Sequence, residues 1–446
     1  MMSAMSNNSG IPAGAGGACA GAAELASALK KISWRLIPFL FLLYVVAYLD
    51  RVNVGFAQLQ MKKALEFSDA VYGFGAGLFF VSYFIFEVPS NLLLERFGPR
   101  RWMARIMITW GILSSSMMFV QGEASFYALR LGLGVAEAGF FPGIILYLTY
   151  WFPQKDRAGA VAKFMTAIGI ALIIGGPISG AILDGLNGVN GWQGWQWLFL
   201  LEGIPSIVLG FVVLFVMPDH PADVSWLTAD EKGALTEALK HAPVEPGQVR
   251  HKVRYAFTDG RIWILAGIYF CFSMGLYGLT LWIPQILKDL TGGSALKVGF
   301  LSAIPYLVAS VTMVFWGRFT DRTGAHRRNL VITTAFACVM LFGAAALLGS
   351  GPVAALVAFS LGVMGLFASF GPFWALPSAF LRGTAAAAGI AVINSCGNLG
   401  GFASPWLVGL VKKQTGSFVG GVCVIAAAMA VASLLIAVGT RRRRES

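Results

Sequence analysis

About twelve stretches of this chain are long and apolar enough to cross a membrane, and this repetition constrains the fold more than any other feature. A spanning helix needs about 20 predominantly apolar residues. Because hydrocarbon offers no partners to backbone N–H and C=O groups, each segment must satisfy its own groups as a helix, or the chain must close into a barrel. The alternating pattern of barrel strands is absent from the sequence. The sequence therefore predicts an all-α polytopic membrane protein.

Composition and charge distribution support this class and argue against a protein that binds nucleic acid. The chain is 57% hydrophobic and 12% charged, with a mean hydropathy of +0.72. Its net charge is +12, yet 25 of the 33 Lys and Arg residues lie on one predicted side of the membrane, six on the other and two within spans. Basic residues collect on the cytoplasmic side, which predicts an inner (cytoplasmic) membrane protein with both termini in the cytoplasm.

The spans form two sets of six, separated by about 40 mostly polar residues. This arrangement predicts twelve transmembrane helices in two six-helix bundles, as in two-bundle carriers. Residues 1–33 are rich in Ala, Gly and Ser, a composition typical of disorder. The predicted segments are a disordered cytoplasmic N-terminus (1–33), an N-terminal bundle (34–217), a cytoplasmic linker (218–260), a C-terminal bundle (261–440) and a basic cytoplasmic tail (441–446).

An internal repeat supports the two-bundle organisation. NLLLERFGPRR follows the second span, and GRFTDRTGAHRR follows the eighth. The two loops occupy the same position in each half, between its second and third spans. Matching residues are Glu95 with Asp321, Arg96 with Arg322, and Gly98 with Gly324. We expect charged links between these loops to act as a gate that forms in one conformational state and breaks in the other. The expected gate residues are Glu95, Arg96, Arg101, Asp321, Arg322 and Arg328.

Two pairs of opposite charges lie within predicted spans of the N-terminal bundle: Asp50 with Arg51, and Arg130 with Glu137. A charge at mid-bilayer costs at least about 2.5–3.5 kcal/mol, so such residues face a protein-lined cavity and have partners. In the first span, Tyr48 and Arg51 share a helix face, while Asp50 points about 100° away from Arg51. Arginine suits anion binding because its planar fork matches a carboxylate and stays protonated. Asp50 can hold Arg51, carry a coupling proton, or form a purely structural pair with Arg51.

In the fourth span, Arg130 and Glu137 are separated by two helical turns and lie on similar faces. A buried carboxylate whose protonation depends on nearby cations is what a proton carrier needs. The alternative is a helix–helix salt bridge that serves only packing. Glu87 is expected to pair with an arginine of the nearby cytoplasmic loop, and Glu202 to be solvated near the outer end of the sixth span.

The repeated loop resembles the signature G-x-x-x-D-R-x-G-R-R of the major facilitator superfamily. The second copy keeps Gly317, Asp321, Arg322 and Gly324, whereas the first has Asn91, Glu95 and Pro99 where the signature has Gly, Asp and a basic residue. YLDR, FEVPSNLLLERFGPRRW and RLGLGVAEAGFFPG are similar to one branch, the anion:cation symporters. WALPSAFLRGTAAAAGIAVINSCGNLGGF is most similar to the branch's bacterial tartrate-type members.

The resemblance implies roles for individual residues. The matching Asp and Glu of related symporters are proton-coupling carboxylates, which implies that role for Asp50 and Glu137, with Arg130 tuning Glu137. Positions that face substrate in the branch correspond to Tyr83 and Asn394, and Asn394 is favoured over Asn398. The full expected substrate-binding set is Arg51, Arg130, Tyr48, Tyr83 and Asn394.

These residues predict a secondary active transporter that imports a hydroxy-dicarboxylate such as tartrate, or a related sugar acid, by proton symport. The alternatives are a proton-independent anion exchanger or exporter, or uptake of an aromatic carboxylate such as phthalate. A membrane enzyme is a distant alternative, because no predicted span contains a histidine and no metal-ligand spacing occurs. No phosphate-binding loop occurs, which excludes an ATP-driven pump. The expected partners are the anion, protons and lipid; no metal or cofactor is expected, and the monomer is expected to function.

Overall fold

The computed structural model describes residues 14–240, 259–380 and 383–439, with side chains from residue 21 onward except at 158 and 378–388. The predicted basic tail (441–446), residues 1–13 and residues 241–258 of the predicted linker lie outside this part. The helices are α1 (Gly14–Val52), α2 (Val54–Ala64), α3 (Asp69–Phe97), α4 (Pro99–Ser116), α5 (Glu123–Glu137), α6 (Phe140–Trp151), α7 (Gln154–Gly185), α8 (Gly194–Val216), α9 (Ala229–Lys240), α10 (Gly260–Thr291), α11 (Ala295–Thr323), α12 (His326–Leu347), α13 (Pro352–Phe380), α14 (Gly383–Thr415) and α15 (Val419–Gly439).

The predicted all-α polytopic fold is confirmed. Within the described residues, ten helical segments are long and apolar enough to cross a membrane. The first of them joins α1 to α2 through a turn at Asn53, and the third joins α5 to α6 through Ala138 and Gly139. The other two predicted spans correspond to α4 and α14. Arginines in its first two turns lower the hydropathy of α4.

The N-terminal segment differs from the expectation of disorder, because α1 is already helical from Gly14. Alanine has the highest helix propensity and is frequent here. Tertiary contacts add to that preference: Ala28 and Ile32 are fully buried. Ser27 Oγ and Lys31 Nζ both donate to the Glu231 carboxylate of the surface helix α9, at 2.7 and 2.8 Å. This contact anchors α9 to the start of the first span.

The anchor between α1 and α9 is expected to weaken in acid. Lys31, Ser27 and the Thr228 backbone N–H together lower the pKa of Glu231 from 4.5 to about 2. The folded-state pKa lies below the ordinary value, so this contribution is present above pH 4.5 and is lost as the pH falls towards 2. Hydrogen exchange in α9, corrected for intrinsic rates, should therefore accelerate over this range. Glu231→Gln should accelerate it already at neutral pH, whereas Glu237→Gln, on the exposed side of α9, should not.

The two halves of the molecule are α1–α8 and α10–α15, and within the described residues they meet mainly along three helix pairs. These pairs are α3 with α14, α7 with α11, and α2 with α10. We call the end that carries the loops at 65–68, 186–193, 292–294 and 416–418 the distal face, and the end that carries α9 the terminal face. On the distal side, Gln58 Nε2 of α2 donates to the Leu281 carbonyl of α10 at 2.6 Å. The halves are therefore sealed against each other near the distal face.

Glycines make this distal seal possible. A Cβ atom added at Gly176 would lie 2.5 Å from the carbonyl oxygen of Gly299, and one added at Gly299 would lie 2.2 Å from that of Gly176. One turn further along, a Cβ at Gly180 would lie 2.5 Å from the Ala295 carbonyl oxygen. The small residues thus recur every four positions on both α7 and α11, the spacing that lets membrane helices approach backbone to backbone.

The internal repeat is visible in the backbone. Gly98 ends α3 with φ +84°, and Gly324 ends α11 with φ +62°. Glycine adopts positive φ without steric cost, so both loops can turn sharply into the next helix. The two glycines matched by sequence share positive φ but differ in ψ, which is 150° at Gly98 and 3° at Gly324, so the two turns have different geometries.

Candidate substrate and proton site

Arg51 lies in the last turn of α1 and is buried between the halves, with 8% of its surface exposed. Its guanidinium makes a close contact with the carboxylate of Glu137 and donates to Tyr277 Oη at 3.3 Å. Three aromatic rings lie with their centroids 5.5 Å from its central carbon, those of Tyr48, Phe79 and Tyr83. The structure therefore places a buried, aromatic-lined cation where the two halves meet.

Asp50 points away from Arg51, as the helical spacing predicts. Its carboxylate accepts hydrogen bonds from Trp110 Nε1 at 2.9 Å, Ser114 Oγ at 2.8 Å and Ser206 Oγ at 2.6 Å. These donors belong to α4 and α8, behind the interface between the halves. The Asp50–Arg51 pairing considered from the sequence is not present. Asp50 instead sits in a pocket of neutral donors within the N-terminal half.

Glu137 pairs with Arg51 and makes no ion pair with Arg130 in the part of the chain that the structure describes. Arg130 is 2% exposed, and its Nη2 donates to the Ala76 carbonyl at 2.9 Å. Two helical turns separate Arg130 from Glu137 by about 10 Å along the axis, more than the two side chains bridge here. Of the two nearby cations, Arg51 therefore forms the ion pair with Glu137, and the tuning role of Arg130 remains a prediction.

Glu87 is a site residue that sequence reasoning missed. It is 5% exposed, and its carboxylate accepts from Asn394 Nδ2 at 3.0 Å, Ser395 Oγ at 3.2 Å and Asn398 Nδ2 at 3.3 Å. The expected ion pair with a loop arginine is absent from the described residues. All three donors lie on α14 of the opposite half, a partnership that spacing along α3 cannot reveal. Asn394, an expected substrate ligand, is thus held by a carboxylate of the protein.

Glu202 is also buried, contrary to the expectation that it is solvated. It is 6% exposed and accepts from Ser179 Oγ at 2.8 Å. Ser206, one turn further along α8, donates to Asp50. The sequence contained a signal for this burial, because Glu202 is an acidic residue within an otherwise apolar span. Tyr277 was missed as well, although a tyrosine in the middle of the seventh span offered a similar signal.

The expected gate residues lie at the terminal face and are exposed: Glu95, Arg96, Arg101, Asp321, Arg322 and Arg328. Within the described structure, none of them forms an ion pair across the two halves. The first loop is held instead by Asp219, which accepts from the Arg100 backbone N–H at 2.9 Å and lies 3.4 Å from Arg100 Nε. The gating role of the six residues remains a prediction.

Buried charges between two helical halves define a membrane carrier, and comparison with known proteins agrees. The profile of the Major Facilitator Superfamily matches residues 40–405. A protein of Agrobacterium vitis named "Putative tartrate transporter" is 48% identical over 419 residues, covering 94% of this chain and 96% of that protein. A protein of Acinetobacter baumannii named "Quinolone resistance transporter" is 42% identical over 402 residues, covering 90% of this chain and 92% of that protein.

The fold agrees with a solved structure as well. The D-xylose-proton symporter superposes with a TM-score of 0.71 at 16% identity, covering 91% of this chain and 97% of that chain. The chain belongs to the Major Facilitator Superfamily. It is a multi-pass membrane transporter and not an enzyme.

Proposed function

We propose that this transporter imports a small organic dianion, a hydroxy-dicarboxylate such as tartrate or a related sugar acid, by proton symport. The observation that carries the proposal is the buried Arg51–Glu137 contact at the meeting of the two halves. Arginine recognises carboxylates through two parallel hydrogen bonds, which supports an anionic substrate. The relative with tartrate in its name supports the hydroxy-dicarboxylate class.

Competition for Arg51 couples the substrate to a proton. A substrate carboxylate that binds the guanidinium takes the place of Glu137. The released Glu137 is a buried carboxylate without a cation, an unfavourable state that protonation relieves. When the substrate leaves, Arg51 and Glu137 pair again and the proton is released. Substrate and proton therefore enter and leave together.

The other expected residues have supporting roles in this mechanism. Tyr48 and Tyr83 border the guanidinium and contact the bound anion, while Arg130 keeps the pocket positive. Asn394 contacts the substrate from the C-terminal half. Asp50 is the second proton site, and a change in its protonation alters its hydrogen bonds with α4 and α8. Protonation of Asp50 thus acts on helix packing rather than on the substrate directly.

Alternating access follows from rocking of the two halves about this site. The distal face, sealed here, is the outward side, and both termini lie in the cytoplasm of the inner membrane. Opening the distal seal brings the two terminal-face loops together, and the six gate residues then form their charged links. One monomer contains all of these parts.

Gly176→Val is expected to prevent the distal seal from closing. The added Cβ alone would lie 2.5 Å from the Gly299 carbonyl oxygen, so the halves must stay apart on that side. Overpacking costs about 1–3 kcal/mol. This cost would shift the equilibrium between the sealed and the open state by about 5- to 150-fold. Transport in proteoliposomes should slow accordingly. Gly343→Val is the matched control, because a Cβ at Gly343 meets no atom within 4 Å. Wild-type transport by Gly176→Val would show that closure does not need this contact.

Export or exchange of an organic anion is the second candidate function. The relative named for quinolone resistance supports it, because resistance is compatible with efflux. Gly176-Pro177 also resembles a motif that is associated with exchangers. Both functions use the same fold and the same Arg51, so only the coupling differs.

Accumulation in proteoliposomes separates these functions. Purified full-length protein is reconstituted, and labelled tartrate is supplied with an inward proton gradient, with no gradient, or with unlabelled tartrate inside. Symport predicts accumulation above the external concentration only with the gradient. Accumulation that is equal with and without the gradient contradicts proton coupling, and uptake that requires internal anion identifies an exchanger.

A further inference from the structure

The contact between Glu87 and α14 joins the two halves through hydrogen bonds from neutral donors. Asn394, Ser395 and Asn398 supply the donors, at 3.0, 3.2 and 3.3 Å from the carboxylate oxygens. In the described part of the chain, Glu87 has no cation within 4 Å. These three donors supply the hydrogen bonds that the Glu87 carboxylate accepts within the described residues, since an ionised carboxylate only accepts hydrogen bonds.

The three donors have the arrangement of a carboxylate-binding site. They occupy positions i, i+1 and i+4 of α14, so they lie within about one helical turn. Each is partly exposed, whereas the Glu87 carboxylate that they surround is buried. The Glu87 carboxylate therefore stands where a ligand carboxylate would fit the same donors.

This cluster adjoins the Arg51 site. Tyr83, whose ring lies 5.5 Å from the Arg51 guanidinium carbon, precedes Glu87 by four residues on α3. Four residues advance a helix by about 6 Å, so Glu87 lies one turn from the residue that borders Arg51. An anion held by Arg51 can extend towards the donors of α14, and its second carboxylate is the group that would reach them.

We propose that Asn394, Ser395 and Asn398 form the subsite for the second carboxylate of the substrate, and that Glu87 fills this subsite in the empty protein. The inference rests on the proposed function. A bound dicarboxylate displaces Glu87, because two carboxylates cannot accept from the same three donors. The displaced Glu87 takes one proton onto a carboxylate oxygen, since it would otherwise be a buried anion beside another anion. No other bond forms or breaks, and the proton leaves when the substrate does.

The other charged groups described around α3 cannot take up the proton in place of Glu87. The cations on the helices nearest to Glu87 have contacts of their own: Arg51 with Glu137, Arg130 with the Ala76 carbonyl, and Arg105 with the Trp102 ring. Among the described side chains, other titratable groups near this cluster are Tyr83 on the same helix, Tyr269 on α10 and Cys396 on α14. All three are neutral near pH 7. Glu87 is thus the group on this side of the site whose charge can change with occupancy.

Calorimetric titration of the purified full-length protein tests the proposal. Tartrate and the monocarboxylate glycolate are titrated between pH 5.5 and 8.5 in buffers of different ionisation enthalpy, which gives the protons taken up per substrate bound. Tartrate should take up one proton more than glycolate, which binds Arg51 but does not displace Glu87. For each proton taken up on binding, the affinity for the acid falls by about tenfold per pH unit as the pH rises.

The variants assign that proton. Glu87→Gln should lower the proton count for tartrate by one, flatten its pH dependence by about tenfold per pH unit, and leave the glycolate count unchanged. Glu123→Gln, an exposed residue at the distal end of α5, is the control and should match wild type. Equal proton counts for the two acids in wild type would overturn the proposed role of Glu87 but not the proposed function. An unchanged count for tartrate in Glu87→Gln would do the same. Failure of wild type to bind either acid would overturn the proposed function itself.

Discussion

Arg51→Lys should weaken the binding of tartrate by about 100-fold, with the fold preserved. Disrupting a buried charged hydrogen bond costs about 2–5 kcal/mol, and lysine keeps the charge but loses the planar fork. The ammonium can still neutralise Glu137, so the interface between the halves does not acquire an unpaired carboxylate. The loss should therefore fall on substrate recognition rather than on stability.

Calorimetry on the purified variant, combined with its thermal midpoint, measures both parts of this expectation. Arg35→Lys is the matched control on the same helix. Arg35 stacks over Trp226 at 5.0 Å near the terminal face, far from the site, and its replacement should leave tartrate affinity unchanged. An Arg51→Lys protein that binds tartrate as tightly as wild type would remove the guanidinium from substrate recognition.

Glu137→Gln should lower accumulation driven by a proton gradient, because one coupled proton per anion is lost, while exchange of anion for anion is retained. The glutamine keeps the size of the side chain but cannot take up and release a proton. Arg51 also loses its ion-pair partner, so it remains permanently available to substrate. Binding should tighten or stay the same, and the accumulation ratio should fall by about tenfold per unit of pH gradient.

Counterflow and gradient-driven uptake in the same proteoliposomes separate these effects. Glu123→Gln, at the exposed first position of the same helix α5, should behave like wild type in both assays. Normal accumulation by Glu137→Gln would exclude Glu137 as a coupling group. Loss of both uptake and counterflow would instead assign Glu137 a structural role.

Local sequence properties predicted much of this protein. The spans followed from apolar length, because a bilayer requires each segment to satisfy its own backbone hydrogen bonds. The angle of about 100° between successive helix residues predicted that Asp50 and Arg51 face different surroundings, and they do. The loop repeat matched Gly98 with Gly324, and both glycines end their helices with positive φ.

The sequence did not predict which distant residues contact each other. Glu87 and Asn394 are 307 positions apart, and Arg51 and Glu137 are 86 apart. The sequence leaves open whether Arg130 or Arg51 lies beside Glu137, and in the structure the ion-pair partner is Arg51 of α1. The sequence predicts a loop arginine beside Glu87 and solvent around Glu202. Both predictions are wrong, because spacing along one helix does not identify the opposing helix that buries each side chain.

The sequence by itself determined that this chain lies in a membrane, the order of its membrane-spanning segments, and which of these segments carry charge. These are properties of composition and short-range periodicity. Only the tertiary structure decided which charges meet, that α14 holds Glu87, and that glycines on α7 and α11 close the distal face. Those features depend on how two distant halves pack, and packing brings together residues whose spacing along the chain carries no information about their contact.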